Sequence, residues 1–385
     1  MLEMRKMKDS GIEWIGEIPE GWEVGQIGQL YSERRTKVSD KDYPPLSVTM
    51  KGILPQLSTA AKTDAHDDRK LVCKGDFAIN SRSDRRGSCG ISEQDGSISL
   101  INTVLKPRGE MNPGYYNWLF HTSMFADEFY KWGHGIVDDL WTTGWSDMKK
   151  IGVPVPSKCE QKQLAEHLNF ECSNIDTILS KTRSSIEEYK KLKQAVITQA
   201  VTEGTPAMFS SPHSVKLKYL ISIVSGEAIR NEQLSDFGEY PVYGGGEIIG
   251  FCSQYNTSEG SLIIGRVGAR CGCVTHTTCK SWATDNALIV LPTCNAKYMY
   301  YVIGHCQLNN LNTSNAQPLI TSTKIKNVVV PYFSDAMQQQ EIANYLDAKC
   351  AEIDGLIAKK EQLVKELESY KKSLIYEVVT GKREV

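Results

Sequence analysis

The sequence has no long apolar run and almost no excess of charge. Its 385 residues include 44 Lys and Arg against 46 Asp and Glu, which gives a formal net charge of −2. Because such a chain has no global basic field, any nucleic-acid site has to be a local one. No segment approaches the roughly 18 consecutive apolar residues that span a bilayer, so we expect no membrane partner.

The sequence also lacks the marks of a secreted or a catalytic chain. Residues 1–30 are charged and carry Trp14 and Trp22 instead of an apolar leader. The 11 cysteines are odd in number and scattered, so we expect free thiols and a cytoplasmic location. The glycine run at 244–247 lacks the Gly-Lys-Ser/Thr ending of a phosphate-binding loop. No histidine belongs to a nucleophile or base constellation, so no catalytic residue is predicted.

Two further motifs approach known sites and depart from them. Residues 111–116 (MNPGYY) are close to the Asn-Pro-Pro-aromatic segment of amino-methyltransferases, but Gly114 replaces the second Pro. The cysteines and the histidine at 271–279 are spaced too tightly for the usual structural zinc site. We therefore predict that this chain binds no metal and no cofactor.

The dominant feature that is present is an internal repeat of two helical segments. Residues 174–203 and 352–381 match without a gap, and in both segments apolar residues recur at alternating steps of four and three. This spacing is typical of a coiled-coil seam. The seam positions are Ile175, Leu179, Ile186, Tyr189 and Val196 in the first copy, and Ile353, Ile357, Val364, Leu367 and Leu374 in the second. Two matching helices in one chain most simply pair with each other.

The segments before these helices repeat as well. The predicted strands at 75–80 and 260–265 are related by an offset of 185 in residue number, and at the same offset Pro107 matches Pro292 and Tyr115-Tyr116 matches Tyr300-Tyr301. Each helix is preceded by a capping residue, Ser157 before Glu160 and Asp335 before Gln338. The predicted segments are globular domains at 1–156 and 205–333, a central helical spacer at 157–204 and a C-terminal helical spacer at 334–385.

The sequence therefore predicts an α+β fold. Two repeated α/β domains are separated by two long antiparallel helices, which form a coiled coil with pseudo-two-fold symmetry. A helix of about 28 residues is roughly 40 Å long, close to one turn of B-DNA at about 34 Å. The helix pair could thus set the distance between two DNA readers, although a generic dimerisation coiled coil would show the same pattern.

Arginines in glycine-rich loops are the first candidates for DNA contacts. Arg82, Arg85 and Arg86 follow the first copy's predicted strand, and Arg266 and Arg270 occupy the equivalent loop of the second copy. Arginine suits both guanine edges and phosphates. The alternative is that these arginines pair with carboxylates on their own surface, with Asp84 orienting one of them.

A polar segment before the proline turn of each copy supplies further candidates. Thr, Asn and Gln side chains suit base edges and lysines suit phosphates, although a polar turn capping the next strand would also fit. The predicted residues are Thr142, Thr143, Lys149 and Lys150 in the first copy, and Asn315, Gln317, Thr321 and Lys324 in the second.

Several motifs resemble the specificity subunits of type I restriction–modification systems. They are KDSGIEWIGEIPEGWEV (8–24), PVPSKCEQKQLAEHL (154–168), YPVYGGGEIIGF (240–251), IGRVGARCG (264–272) and the closing VTGKREV. Two departures stand out. The second half has no copy of SGIEWIGEIPEGW, and its helix start reads QQQE rather than EQKQ.

The resemblance implies a chain that is not itself an enzyme. Its two globular domains would be target-recognition domains, each reading one half of a split, asymmetric site in double-stranded DNA. The helices would set the gap and recruit two modification (methyltransferase) subunits, which restriction subunits join. S-adenosylmethionine, ATP and Mg²⁺ are then expected in those partners. A coiled-coil scaffold that binds only proteins, without DNA readout, is the competing hypothesis.

Overall fold

The computed structural model describes residues 5–56, 67–135, 141–206, 211–311 and 319–385. The chain divides into two compact units, one formed by 1–181 with 363–385 and the other by 182–362. Each unit holds one globular domain together with part of each long helix. The predicted α+β class, with two repeated domains and two long helices, is confirmed.

The globular domain of the first unit begins with small sheets and ends on a proline turn. Its strands are β1 (Met7–Asp9), β2 (Glu17–Pro19), β3 (Glu23–Gln26), β4 (Tyr31–Glu33), β5 (Lys37–Val38), β6 (Leu46–Thr49), β7 (Gly52–Pro55), β8 (Arg69–Val72), β9 (Phe77–Asn80), β10 (Cys89–Ile91), β11 (Gly96–Ile98), β12 (Asn102–Pro107) and β13 (Gly152–Val155). Its short helices are α1 (Ile27–Leu30), α2 (Pro113–Phe120), α3 (Ser123–Lys131) and α4 (Trp145–Met148).

The second unit is a shorter version of the same succession. Its strands are β14 (His213–Lys216), β15 (Ile221–Ser225), β16 (Tyr240–Gly244), β17 (Glu247–Cys252), β18 (Leu262–Gly265), β19 (Val274–His276), β20 (Trp282–Ala283), β21 (Ala287–Pro292) and β22 (Val329–Tyr332). The long helix α5 (Lys158–Glu203) comes before these strands, α6 (Ala296–His305) and α7 (Ser322–Lys326) lie among them, and α8 (Ala336–Val379) follows. No helix in the described part of the chain is long and apolar enough to cross a membrane.

The central sheet of each unit has the same strand order and the same register. The orders are β10-β9-β12-β4 in the first unit and β19-β18-β21-β15 in the second. Asn80 lies opposite Asn102 in the first sheet, and Gly265 lies opposite Ala287 in the second. Both pairs obey the predicted offset of 185, so the repeat is present in the backbone pairing as well as in the sequence.

The helix that follows this sheet departs from the predicted alignment. The side chain of Asn112 caps α2 and accepts from the amide of Tyr115, whereas Asn295 caps α6 and accepts from the amide of Tyr298. The residue numbers of the two caps therefore differ by two less than the residue numbers of matching strand positions. The predicted match of Tyr115-Tyr116 with Tyr300-Tyr301 is wrong by two residues, because the connection after β21 is two residues shorter than the one after β12.

Aromatic side chains form the core beneath the sheet of the first unit. Residues 113–131 form two helices, because the hydroxyl of Thr122 caps α3 by accepting from the amide of Phe125. The ring of Phe120 lies 5.0 Å from that of Phe77 and 4.5 Å from that of Phe125, centroid to centroid. The other buried rings of this cluster are Trp14, Trp22, Tyr31, Tyr115, Tyr116, Phe129 and Tyr130.

The opening and closing motifs of the sequence pack together in the first unit. Lys382 donates from Nζ to the carbonyl of Ile15 at 2.9 Å, and Tyr376 donates to the same carbonyl at 3.1 Å. Gly381 has a positive φ of 72°, and a Cβ there would lie 2.5 Å from Pro19. Only glycine fits this contact.

Both long helices begin at the predicted caps. The amide of Glu160 donates to the Ser157 hydroxyl at 3.4 Å, and Glu160 Oε2 accepts from the Ser157 amide at 3.1 Å, which completes a capping box. At the start of α8 the carboxylate of Asp335 accepts from the amide of Met337 at 3.0 Å. In α5 the Glu160 carboxylate makes the second hydrogen bond of the capping box. The equivalent residue of α8 is Gln338, so α8 has no carboxylate at that position.

A buried glutamine in the first turn of each long helix makes the same two hydrogen bonds. Gln161 donates to the Pro156 carbonyl at 2.9 Å and accepts from the Asn112 amide at 2.9 Å. Gln339 donates to the Phe333 carbonyl at 2.7 Å and accepts from the Asn295 amide at 3.1 Å. Gln161 and Gln339 thus tie the proline turn of each copy to the cap of α2 or α6.

Glu160 provides the first testable prediction, a pH dependence of folding. Burial opposes its ionisation, but hydrogen bonds from Ser157, Trp22 and Arg5 outweigh burial and lower its pKa from 4.5 to about 2. Because the folded pKa is the lower one, this stabilisation is complete above about pH 5 and is lost as the pH falls from 4.5 towards 2. Glu160→Gln should lower the free energy of unfolding at pH 7 by about 1–2 kcal/mol, after discounting for the 31% exposed side chain.

Urea unfolding of both proteins at pH 7 and at several values below pH 4.5 measures this effect. The difference between the wild type and the variant should shrink as the pH falls. A difference that stays constant with pH would show that the carboxylate acts through its shape alone.

Within each unit the two long helices pack side by side through the seam residues. The polar interruptions of the heptads make ion pairs, Lys371 with Asp176 at 2.6 Å in the first unit and Lys193 with Asp354 at 2.6 Å in the second. The buried seam side chains are Ile175, Leu179, Ile186, Ile353 and Leu374. The half-buried ones are Tyr189, Val196, Ile357, Val364 and Leu367.

The direction of the two helices follows from two contacts in the second unit. Lys193 pairs with Asp354, and the amine of Lys360 lies over the ring of Tyr189. Residue numbers therefore rise along α8 where they fall along α5. The two segments run antiparallel there, as predicted.

Candidate nucleic-acid interface

The structure joins the two predicted polar elements of the first unit into one surface. The amide of Thr143 donates to the Ser81 carbonyl at 3.0 Å, and the amide of Ser83 donates to the Trp141 carbonyl at 2.9 Å. Arg82 pairs with Thr142 through an antiparallel bridge. The arginine loop after β9 and the segment before α4 are therefore one continuous structure, which the sequence presented as two separate motifs.

The second unit repeats this junction at the equivalent place. The amide of Ile320 donates to the Arg266 carbonyl at 3.0 Å, and Val267 pairs with Leu319 through an antiparallel bridge. The loop after β18 thus meets the segment before α7, as the loop after β9 meets the segment before α4. Asn315 and Gln317, predicted in this segment, lie outside the described residues.

The three arginines of the first loop have carboxylate partners. Arg82 and Arg85 approach the two oxygens of Asp84 at 3.1 and 3.7 Å, and Arg86 pairs with Asp127 at 2.5 Å. Surface ion pairs of this kind contribute about 0–1 kcal/mol, so a phosphate or a guanine can replace the carboxylate at little cost. One aspartate shared by two guanidinium groups also leaves the loop with an excess of positive charge.

The polar segment of the first unit is only partly available. Thr142 and Lys149 are exposed. The Lys150 amine pairs with Asp147 at 3.1 Å and is exposed as well. Thr143 corrects the prediction, because its side chain is fully buried and its hydroxyl donates to the Phe129 carbonyl at 2.8 Å. It therefore stabilises the junction and offers no group to a ligand.

The second unit presents fewer cations. Arg270 forms an ion pair with Glu247, whereas the half-buried Arg266 makes no ion pair with any described residue. Thr321 caps α7 by accepting from the amide of Lys324, whose amine donates to the Leu311 carbonyl at 3.2 Å. Of the two predicted arginines of this unit, Arg266 is therefore the one whose guanidinium is more available to a ligand.

The cysteine and histidine cluster near this loop has a structural role at one position. Cys271 is buried, and its thiol donates to the Arg266 carbonyl at 3.1 Å. Across the described ranges, no three His, Cys, Asp or Glu side chains are grouped so that they could hold a metal ion.

Sequence reasoning missed a cleft of about 540 Å³ beside the arginine loop of the first unit. Its lining includes β6, Arg85 and Arg86, and β6 forms a hairpin with β7. The hairpin is held close to the sheet, because a Cβ on Gly90 would lie 2.8 Å from the Gly52 Cα. The buried lining residues Arg69 and Asn102, which we call the cleft floor, come from β8 and β12. No motif marks them, because only the sheet topology brings them to the loop.

The cleft floor combines a buried cation with a buried acceptor that has no hydrogen-bond partner among the described residues. Arg69 donates from Nε to the Ser97 hydroxyl and from Nη2 to the Ser97 carbonyl, both at 2.9 Å. It forms no ion pair with any described residue, and burial lowers its pKa. Asn102 Oδ1 is buried and accepts no hydrogen bond from the described residues.

Lys149 provides a second prediction, on phosphate contacts. If its exposed amine contacts a phosphate, Lys149→Ala should weaken binding to all DNA sequences alike and reduce the slope of log K against log salt by about one unit. Salt titrations of duplex binding measure this slope. Lys74→Ala is the matched control, because Lys74 is exposed and precedes β9 at the end away from the arginine loop. If both variants reduce the slope equally, the effect comes from the net charge of the chain and not from a phosphate contact of Lys149.

Comparison with known proteins identifies the domain of the second unit. Residues 213–366 match the family model described as the type I restriction modification DNA specificity domain. A Mycoplasma genitalium protein that carries the provisional name of type I specificity subunit is 24% identical over 245 residues. The match covers 58% of this chain and 63% of that protein, so the chain spans less than two thirds of the length of this curated relative.

Solved structures share the fold of the whole chain. A chain described under complex assembly and conformational transition of the type I R-M system has a TM-score of 0.77 at 12% identity, covering 95% of this chain and 99% of that one. The HsdS subunit of Thermoanaerobacter tengcongensis has a TM-score of 0.54 at 14% identity, covering 95% and 98%. At this level of identity the likeness concerns the fold.

The repeated fold is that of solved proteins of type I restriction–modification systems, and residues 213–366 match the DNA specificity domain of such systems. Within that class the chain is similar to the specificity subunits, one of whose curated members matches it at 24% identity. The resemblance predicted from its motifs is confirmed.

Proposed function

We propose that this chain is a non-catalytic DNA-binding subunit, in which each unit reads one half of a bipartite, asymmetric target. The observation that carries the proposal is the repeated junction, Arg82 with Thr142 in one unit and Val267 with Leu319 in the other. Each junction sets an arginine-bearing loop at the end of the same strand of the same sheet. The description of the matched family model, which refers to DNA specificity, supports this assignment.

The two interfaces differ in the side chains that they present, which fits an asymmetric target. The first unit offers Arg82, Arg85 and Arg86, and the second offers Arg266 and Arg270. Arginine can bind guanine with two hydrogen bonds in the major groove, which is wide enough to admit a two-stranded β-ribbon. The hairpin of β6 and β7 beside the first loop has that form.

The remaining roles belong to the assembly. With a net charge of −2 the chain has a weak hold on phosphates, so partner subunits supply much of the affinity for double-stranded DNA. The long helices set the gap between the half-sites and recruit two modification subunits, which restriction subunits join in the cytoplasm. S-adenosylmethionine, ATP and Mg²⁺ bind to those partners and not to this chain.

The test compares genome-wide adenine methylation in the source organism with and without this gene. Loss of methylation at one split motif is the expected result. Binding of the purified complex to that motif, against a duplex with both halves scrambled, is the matching measurement in solution. A complex that binds both duplexes equally would favour the protein-binding scaffold. Heat on titrating the chain alone with S-adenosylmethionine would assign the cofactor to it.

A further inference from the structure

One residue that lines the cleft of the first unit carries a buried hydrogen-bond acceptor without a partner among the described residues. Asn102 is 4% exposed, and its Nδ2 donates to the Ser99 carbonyl at 3.0 Å. Rotating the amide would set Oδ1 against that carbonyl oxygen, so this hydrogen bond fixes which atom faces away from it. The amine of Lys70 donates to the Asn102 carbonyl at 2.7 Å and holds the backbone in place. Oδ1 is then an acceptor fixed in position among the lining residues of the cleft.

Cationic side chains line the same cleft as this acceptor. The buried Arg69 and the exposed Arg85 and Arg86 line the same cleft. A ligand that satisfies both kinds of group must carry an N–H donor together with acceptor or anionic atoms. A phosphodiester group by itself offers acceptors only, and its oxygens would face Asn102 Oδ1 without a proton between them. A nucleobase with an exocyclic amino group, attached to its phosphodiester backbone, offers both.

The repeat shows that this feature belongs to one unit. Asn80 and Asn102 pair across β9 and β12, and the residues at the same register of β18 and β21 are Gly265 and Ala287. The equivalent position in the second unit therefore has no side-chain acceptor. A group kept in one reader and absent from the other is suited to a base that occurs in one half-site only.

We propose that Asn102 is a specificity-determining residue, whose Oδ1 accepts a hydrogen bond from the amino group of an adenine or a cytosine in the first half-site. The proposal rests on the proposed function. In the major groove adenine N6 and cytosine N4 are the amino donors, so the base opposite Asn102 is one of these two. Arg85 and Arg86 hold the neighbouring phosphates or guanine edges at the exposed side of the cleft.

The experiment selects duplexes from a randomised library with the full chain in complex with its modification subunits, and compares wild type, Asn102→Ala and Asn102→Asp. Both variants lose the donation to Ser99, but only Asn102→Asp keeps an acceptor. We expect Asn102→Ala to lose the preference at one adenine or cytosine position of one half-site, by about tenfold. Asn102→Asp should keep the preference at that position, with weaker binding overall because its charge repels phosphates.

A base analogue provides the second measurement. Purine in place of adenine, or 2-pyrimidinone in place of cytosine, removes the amino group at the identified position. Wild type should lose about tenfold in affinity for the analogue, and Asn102→Ala should lose almost nothing further, since the two changes remove the same hydrogen bond.

The outcomes separate the two proposals. A wild-type complex that selects no motif overturns the proposed function. A wild-type complex that selects a split motif which Asn102→Ala leaves unchanged, or which both variants weaken evenly at every position, overturns the role of Asn102 alone. Circular dichroism shows whether each variant is folded. If Asn102→Ala does not fold, the base-analogue measurement on the wild type decides whether the amino group of the base is recognised.

Discussion

Phe120→Ala is expected to lower the free energy of unfolding of the first unit by about 3–5 kcal/mol. The Phe120 ring is 1% exposed and packs against Phe77 and Phe125 at centroid distances of 5.0 and 4.5 Å. Truncation removes these contacts and leaves a cavity that the sheet above it and α3 beside it can fill only in part. Urea unfolding and hydrogen exchange of peptides from the first unit measure the loss.

The control for this change is Met124→Ala in the next turn, because Met124 is 41% exposed. Its expected effect is within about 0.5 kcal/mol. Ile303 of α6 is the counterpart of Phe120 when the caps of α2 and α6 are aligned, and it is also buried. Ile303→Ala should therefore accelerate exchange in peptides of the second unit. Similar losses from Phe120→Ala and Met124→Ala would mean that the aromatic cluster does not hold the first unit together.

Arg85→Ala is expected to weaken recognition of one half-site by about 1–3 kcal/mol and to leave the other half-site unchanged. The Arg85 side chain is 68% exposed, and its ion pair with Asp84 at 3.7 Å is long. The guanidinium is therefore free to turn to a base edge or a phosphate. Binding to duplexes with one half-site scrambled at a time separates the two halves.

Asp84→Ala distinguishes DNA contact from a purely structural ion pair. If the arginines contact DNA, removal of the competing carboxylate leaves DNA binding unchanged or makes it tighter. If the arginines serve Asp84, its removal destabilises the loop and weakens binding. Arg108→Ala is the matched arginine control, because Arg108 is exposed and follows the end of β12 that is far from Asn102. Equal loss at both half-sites from Arg85→Ala would contradict a division of labour between the units.

The carboxylate partners of the arginines bear on the choice between DNA reader and protein scaffold. Arg82, Arg85, Arg86 and Arg270 all pair with acidic groups of the same unit. The sequence left open that the loop arginines pair with carboxylates on their own surface, and the structure shows such pairs. Because such surface pairs are weak, the same geometry also keeps the Arg85 and Arg86 guanidinium groups at the cleft without neutralising both. The Asp84→Ala experiment therefore carries more weight than the contacts themselves.

Features that depend on local spacing could be predicted from the sequence. The heptad steps predicted the seam, Ser157 and Asp335 predicted the helix starts, and the constant offset between the strands predicted two copies of one sheet. These features depend on the 3.5-residue period of packed helices and on capping groups within four residues of each other, so the linear pattern contains them.

Which polar side chains are available could be learned from the folded chain alone. Thr143 looked like its neighbour Thr142, yet the backbone junction turns it inward to bond the Phe129 carbonyl. Arg69 and Asn102 have no distinguishing motif, and the fold brings them to one cleft from two separate strands. Burial and the pairing of distant strands are non-local quantities, because each is set by residues far along the chain, and a side chain's role at the site follows from them.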